Sequence, residues 1–165
     1  DSSTSRGLGD VYKRQRWDWL QIERGQQVLA RALAAGGAAD PYVLQARIAA
    51  CHAAARRPED TDWPRIAALY TQLLQVQPSP VVALNRVVAV LRSDGAFAAW
   101  AQLQPLLVDA RLREYAPLQV VRGELLQALG RDLDARHAFA EAARLSQNQA
   151  ERGLLRQRAG LPPTE

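Results

Sequence analysis

The sequence predicts an all-α protein, a repeat solenoid of helical hairpins with about seven to eight helices. Three observations support this fold class. Hydrophobic residues make up 48% of the 165 residues, and they are mostly Ala, Leu and Val, with two Phe and no Met. Apolar residues recur at the spacing of one helical face, and no segment alternates with the period of two that indicates a strand. Proline and glycine divide the chain at regular intervals.

Residues 1–15 differ from the rest of the chain. They are polar, rich in Gly and Ser, and have no helical period. The string DVYKRQ at 10–15 resembles one translation frame of a common transposon-end sequencing adaptor, and it contains Lys13, the only lysine. We expect a library artefact fused to a truncated gene, the alternative being a genuine disordered tail. The helical domain is predicted over residues 16–161, with a short tail at 162–165.

The first two helices are delimited by residues that favour helix ends. The first is expected over residues 18–35, and it ends at Gly36 because glycine accepts the left-handed conformation that closes a helix. The second is expected over residues 40–56. There the Asp40 carboxylate can cap the backbone N–H groups, and Pro41, which has no N–H, fits the first turn.

The next two helices have a clear amphipathic period. After a polar loop at 58–61, the third helix is expected to open at residues 62–64. Its apolar residues lie three, four, seven and eight positions apart, which places them on one face. These residues are Ile66, Leu69, Tyr70, Leu73 and Leu74. Ser79 is expected to cap the fourth helix, which keeps the same period as far as Asp94.

Four more helices are predicted in the second half of the chain. They are expected over residues 96–108, 115–129, 132–146 and 150–159. Pro105 should kink or end the first of them, because proline removes a hydrogen bond from a helix interior. Gly130 and Gly160 should end the second and the fourth.

The helices form pairs that recur. Pro41, Pro80 and Pro117 each open a helix, and they lie 39 and 37 residues apart, near the period of helical-hairpin solenoids. The last pair resembles the tetratricopeptide pattern, in which small residues lie where paired helices cross and a large one fills the adjacent groove. It comprises the string LQALG at 126–130 followed by Ala135, Ala138, Phe139 and Ala142. Tyr70 and Trp100 are predicted to fill the equivalent grooves of earlier pairs. Stacked pairs would bury a continuous core and present a concave surface.

Five strings resemble the C-terminal, tetratricopeptide-like extension carried by a group of extracytoplasmic-function sigma factors of the sigma-70 family. They are RWD at 16–18, LQARIAACHA at 44–53, EDTDWPRIAALY at 59–70, PSPVVALNRVVAV at 78–90 and LQALGR at 126–131. The resemblance implies a bacterial, cytoplasmic parent protein that acts in transcription initiation. It also implies that the extension regulates the sigma factor through contacts with RNA polymerase or with the sigma domains. Promoter DNA would be contacted only through those domains, which we expect to be absent from this chain.

Five residues are candidates for binding a partner. They are Asp62, Trp63, Tyr70, Asn85 and Arg86. An amide in the middle of an apolar helix is costly to bury without a hydrogen bond. Asn85 is therefore expected either to bind the backbone of an extended ligand or to hold the loop at 59–62. Trp63 would anchor a partner or pack under the preceding loop.

The sequence gives no indication of a catalytic site, a cofactor or a metal, and we expect no enzyme. Zinc needs about four ligands at workable spacing, whereas Cys51 and His52 have only the distant His137 as a further His or Cys. We expect a buried Cys51 beside a half-buried His52. The longest apolar runs are too short to span a bilayer, so no membrane contact is predicted. The net charge of +4 is modest and does not identify a partner.

Two other functions remain open, a stand-alone helical-repeat scaffold and a nucleic-acid-binding module. The second would use Arg152, Arg156 and Arg158 on the last helix, whose side chains lie broadly along one side. It predicts DNA binding that weakens with salt, because arginines that neutralise phosphates release counterions. A solvated capping face is the competing interpretation, because no aromatic residues accompany these arginines.

Overall fold

A computed structural model describes residues 23–162 of the chain. Over this range the protein is all-α, with eight helices and no strand, which confirms the predicted fold class. The helices are α1 (helical over the described residues 23–34), α2 (Pro41–Ala54), α3 (Trp63–Val76), α4 (Pro80–Ser93), α5 (Ala96–Leu107), α6 (Ala116–Ala128), α7 (Asp132–Leu145) and α8 (Gln149–Arg158). Single turns of 3₁₀ helix lie at Pro58–Asp60 and Ala110–Leu112. None of the described helices combines the length and apolar character that a membrane span requires.

Several predictions fall outside the described residues. They are the adaptor-like stretch at 1–15, the RWD string at 16–18, the start of the first helix, and the tail beyond residue 162. The predicted helices that lie inside the range agree with the observed ones to within about two residues, the usual uncertainty of helix ends. Pro105 lies in the last turn of α5, which ends at Leu107.

Capping residues explain why the helices begin and end where they do. Oδ1 of Asp40 accepts hydrogen bonds from the backbone N–H groups of Tyr42 at 2.8 Å and Val43 at 3.3 Å. Oγ of Ser79 accepts one from the N–H group of Val82 at 3.4 Å. Both side chains satisfy N–H groups that have no partner within their own helix. After α6, Gly130 adopts a φ of 74°, in the left-handed region where a Cβ would be unfavourable.

The described chain divides into two compact units, and the boundary along the sequence falls between Asp62 and Trp63. The N-terminal unit (described residues 23–62) contains α1 and α2, with Leu44 and Ile48 buried on α2. An apolar cavity of about 230 Å³ in this unit is lined by residues of both helices. The C-terminal unit (described residues 63–162) contains α3 to α8. The hairpin predicted to begin at Pro41 therefore has α2 in the N-terminal unit and α3 in the C-terminal unit.

Within the C-terminal unit, consecutive helices pack against each other, and α4 also lies against α6. Their apolar faces form two clusters. The first cluster joins α4, α5, the turn at 110–112 and α6 through Leu84, Val87, Val90, Ala99, Leu103, Leu106, Leu112, Leu118, Val121 and Leu125. The second joins α6, α7 and α8 through Leu126, Ala135, Ala138, Phe139, Ala142, Ala143, Leu155 and Ala159. Trp100 on α5 is partly buried and packs against both clusters, which fits its predicted groove-filling role.

The crossing of α6 and α7 combines small and large residues, as predicted for the last pair. Ala135, Ala138 and Ala142 are buried, and Phe139 is 0% exposed. The helix opposite contributes Gly123, where an added Cβ would lie 2.5 Å from Cε1 of Phe139. Real Cβ atoms do not approach another heavy atom so closely, so only glycine fits beneath this ring. Gly123 was not among the residues predicted from the sequence.

Candidate interaction site

The structure places the five candidate partner-binding residues at different depths. Asp62 is the last residue of the N-terminal unit and is exposed. Trp63 opens α3 and is half-buried, and both residues already take part in an interaction within the protein. The other three lie on α3 and α4, which pack against each other. The C-terminal unit therefore brings together four of the five candidates on one pair of helices.

Tyr70 is half-buried on α3, one residue after the buried Leu69. Burial raises the pKa of the Tyr70 hydroxyl above its usual value, because the charged phenolate would lose hydration. Burial thus favours the neutral hydroxyl of Tyr70, which can act as a hydrogen-bonding group.

Asn85 lies on the exposed side of α4. Val81, four residues before it, and Arg92, seven residues after it, are exposed on the same side. The Asn85 side chain makes no hydrogen bond to another described residue. Because the amide is exposed, it carries no cost of burial without a hydrogen bond. Both hydrogen-bonding groups of the amide are available to a ligand.

Arg86, the next residue of α4, is half-buried. Its Nε is buried and has no hydrogen-bond partner. A guanidinium carries five N–H donors in a rigid plane, and no acceptor in the described residues uses this one. The Arg86 side chain makes no hydrogen bond to a described residue, so the donors of its terminal Nη groups are the ones that a ligand could use.

The three arginines of the last helix have partners within the protein. Nε and Nη2 of Arg152 donate to the carbonyl oxygen of Ser146 at 3.2 and 2.8 Å. Nε of Arg156 donates to the carbonyl oxygen of Pro162 at 3.0 Å. Arg152 and Arg156 also line an open cavity of about 330 Å³ between α7 and α8. A nucleic-acid contact by these side chains stays a prediction, and phosphate oxygens would compete there with the backbone carbonyls.

Arg158 packs onto the buried ring of Phe139. Its guanidinium carbon lies 3.9 Å from the ring centroid, which is a cation–π contact. Nη1 donates to Oε1 of Glu124 at 3.3 Å, and Nη2 donates to Oε1 of Gln127 at 3.0 Å. One side chain of α8 thus binds both α6 and α7. This arrangement gives Arg158 a role in stabilising the end of the unit.

We expect Arg158→Lys to lower the free energy of unfolding by about 1–2 kcal/mol, because a lysine keeps the charge but loses the planar stacking and the two-pronged hydrogen bonding. Thermal denaturation followed by circular dichroism measures the effect. The matched control is Arg136→Lys, at an exposed position of α7. Equal stability of the two variants would contradict a structural role for Arg158.

Among the described residues, no three His, Cys, Asp or Glu side chains lie together as a metal site would require. The expected burial of Cys51 and His52 was wrong in degree: the cysteine is half-buried and the histidine is exposed. Both lie in the last turn of α2, which ends at Ala54.

Over the described residues the protein is thus all-α, its C-terminal unit is built of consecutively packed helices, and Asn85 is an exposed amide on α4. No known protein family and no solved structure matches the chain. The chain is similar to an uncharacterized protein of Rhizobium meliloti (strain 1021), with 49% identity over 116 residues. The match covers 70% of this chain and 27% of that relative. The chain therefore matches about a quarter of the length of a longer protein.

Proposed function

We propose that this chain is a protein-interaction module that regulates transcription initiation as the C-terminal domain of a bacterial sigma factor. The main support for this proposal is that the sigma-factor-like strings lie on the same helices as the candidate binding residues. The two most specific strings, 59–70 and 78–90, contribute most of α3 and the greater part of α4. These helices also carry Tyr70, Asn85 and Arg86. The residues that resemble the family and the residues suited to binding are thus on the same pair of helices.

In this proposal the partners are RNA polymerase, the sigma domains of the parent protein, or both, in the bacterial cytoplasm. Promoter DNA is contacted by the sigma domains and not by this module. Side chains held on packed helices lose little conformational entropy on binding, so a few exposed polar groups can fix the position of a partner. The relative from Rhizobium meliloti is longer than the matched segment, which agrees with a module that works within a larger polypeptide.

The test is a pull-down with the tagged chain. The prey is either core RNA polymerase or the promoter-reading and polymerase-binding domains of an extracytoplasmic-function sigma factor that carries this extension. We expect one of them to bind. Asn85→Ala should weaken that binding by about tenfold, because the partner would lose one or two hydrogen bonds worth about 1 kcal/mol each. Since the Asn85 side chain has no hydrogen bond to a described residue, the fold should be unaffected.

The control is Gln104→Ala, which removes another exposed amide, on α5. It should leave binding within twofold of the original chain, a difference of less than about 0.5 kcal/mol. Absence of binding to both preys at low salt would contradict the proposed function. If the Asn85→Ala and Gln104→Ala variants bind equally strongly, the proposed interaction function stands, but Asn85 does not contact the partner.

A further inference from the structure

Arginine nitrogens account for most of the buried polar atoms that lack a partner in the described residues. Four buried side-chain nitrogen or oxygen atoms there have no hydrogen-bond partner, and three of them are the Nε atoms of Arg47, Arg86 and Arg122. The fourth is Oγ of Ser93. Most buried polar groups in proteins are hydrogen-bonded, because an unmade bond costs more than a made one gains. Three exceptions of one chemical kind call for a common explanation.

The three arginines occupy the same position in three helices. Each is the seventh residue of its helix: Arg47 in α2, Arg86 in α4 and Arg122 in α6. These are the helices that open at the recurring prolines. Counted from the recurring proline, Arg122 is one residue closer than Arg47 and Arg86 are. The reason is that α6 begins one residue before its proline, whereas α2 and α4 begin at theirs. The feature is therefore repeated with the helical pair.

Two of these arginines lie on helices in direct contact. In the C-terminal unit, α4 lies against α6, with α5 between them in the chain. Two successive hairpins return the chain to its first direction, so α4 and α6 run parallel and their seventh residues lie at a similar level. Packed helix axes are about 8–10 Å apart. Arg86 and Arg122 therefore lie at matching positions on two packed helices, and Arg47 has the same position in α2 of the N-terminal unit.

Neither member of this pair forms an ion pair with a described residue. Arg111, Arg131, Arg144 and Arg158 bind Asp109, Asp134, Glu141 and Glu124, all within 3.3 Å. Arg86 has no hydrogen bond to a described residue, and Arg122 has one long contact of 3.5 Å, from Nη1 to Oε1 of Gln119. The Nε atom of each arginine is buried, which restricts the movement of its guanidinium. No carboxylate of the described residues neutralises the charge of that guanidinium.

We propose that Arg86 and Arg122 bind two carboxylates of an acidic peptide segment in a protein partner. This inference rests on the proposed interaction function and specifies the chemistry of the partner. A guanidinium matches a carboxylate geometrically and forms charge-assisted hydrogen bonds with it, stronger than neutral ones. Immobilised stems reduce the entropy lost on binding. In a polyproline II segment, which has three residues per turn and a rise of about 3.1 Å per residue, acidic residues three positions apart lie on one side about 9 Å apart. This distance is close to the usual spacing of packed helix axes, about 8–10 Å.

A peptide fits this surface better than a nucleic acid does. Asn85, the neighbour of Arg86, is exposed, and its amide has both a donor and an acceptor. A peptide backbone offers partners for both groups, whereas a phosphate backbone offers only acceptors. Nucleic-acid binding also relies on many phosphate contacts and on stacking aromatics, and this pair supplies two cations.

The test uses the full chain and a fluorescein-labelled dodecapeptide with glutamate at every third position, read by fluorescence anisotropy at physiological ionic strength. Replacing both arginines, Arg86→Gln with Arg122→Gln, should weaken binding by at least about tenfold, because two charge-assisted contacts are lost. The control is Arg113→Gln with Arg136→Gln, which removes the same charge at exposed positions of the same unit, outside α4 and α6. It should change binding by less than about threefold, the effect of screened long-range charge. Circular dichroism confirms that both variants fold.

Two further arms complete the experiment. The same peptide with glutamine in place of glutamate should not bind, and a labelled DNA duplex should bind no better to the original chain than to the Arg86→Gln, Arg122→Gln variant. The inference is overturned if the acidic peptide does not bind, if both double variants weaken it equally, or if the arginine pair controls DNA binding. If the Arg86→Gln, Arg122→Gln variant still captures polymerase or sigma domains at full strength, the acidic site is rejected while the interaction function stands.

Discussion

Replacing Phe139 with alanine should lower the free energy of unfolding of the C-terminal unit by about 3–5 kcal/mol, the range for removing a buried phenylalanine. The ring is 0% exposed, belongs to the second apolar cluster and supports the guanidinium of Arg158. Alanine would leave a cavity between α6 and α7 and remove the cation–π contact at the same time. Urea denaturation followed by far-ultraviolet circular dichroism measures the loss.

The matched control is Leu133→Ala, in the first turn of the same helix, where the side chain is 72% exposed. Its effect should stay within about 0.5 kcal/mol, as for most surface substitutions. If Phe139→Ala cost less than about 1 kcal/mol, the ring could not be the principal contact between the two helices.

Gly123→Ala is the second substitution with a large expected effect. Alanine favours a helix over glycine by about 1 kcal/mol, so the change would stabilise an exposed site. Here the added Cβ would lie 2.5 to 2.8 Å from three ring carbons of Phe139. The ring is enclosed and cannot move aside without displacing its neighbours. We expect the overpacking to dominate, with a net loss of about 1–3 kcal/mol.

Gly153→Ala provides the control for this prediction. Gly153 lies in α8, is exposed, and has no atom within 4 Å of an added Cβ. It should gain up to about 1 kcal/mol from helix propensity alone. The double variant Gly123→Ala, Phe139→Leu should recover part of the loss, because the smaller side chain relieves the overlap and the two sites are coupled. If Gly123→Ala stabilised the protein as Gly153→Ala does, the close approach of α6 and α7 would be disproved.

The helices and much of the core could be predicted from the sequence because their signals are local. Asp40 and Ser79 cap helices through atoms two or three residues away, so the capping pattern can be read directly. Ile66, Leu69 and Leu73 are buried as their spacing predicts. These signals do not depend on which helix packs against which.

Contacts between distant residues could not be predicted in the same way. Gly123 meets Phe139 across sixteen positions, and Arg158 reaches Glu124 across thirty-four. The exposure of Asn85 was also not predicted, because the same side of α4 carries the apolar Val81, so the sequence does not mark that side as exposed. The matching positions of Arg86 and Arg122 could be recognised only once the helix boundaries were known, because the two residues correspond only when counted from the start of each helix.

The position of Trp100 has a consequence for how the C-terminal unit loses its structure. Because the Trp100 side chain packs against both apolar clusters, the packing of each cluster depends on the other being folded. If α7 and α8 detached, the indole would become exposed and the remaining helices would lose part of their covering. The helices from α4 to α8 should therefore unfold as a single cooperative unit, with no stage at which only half of them remains folded.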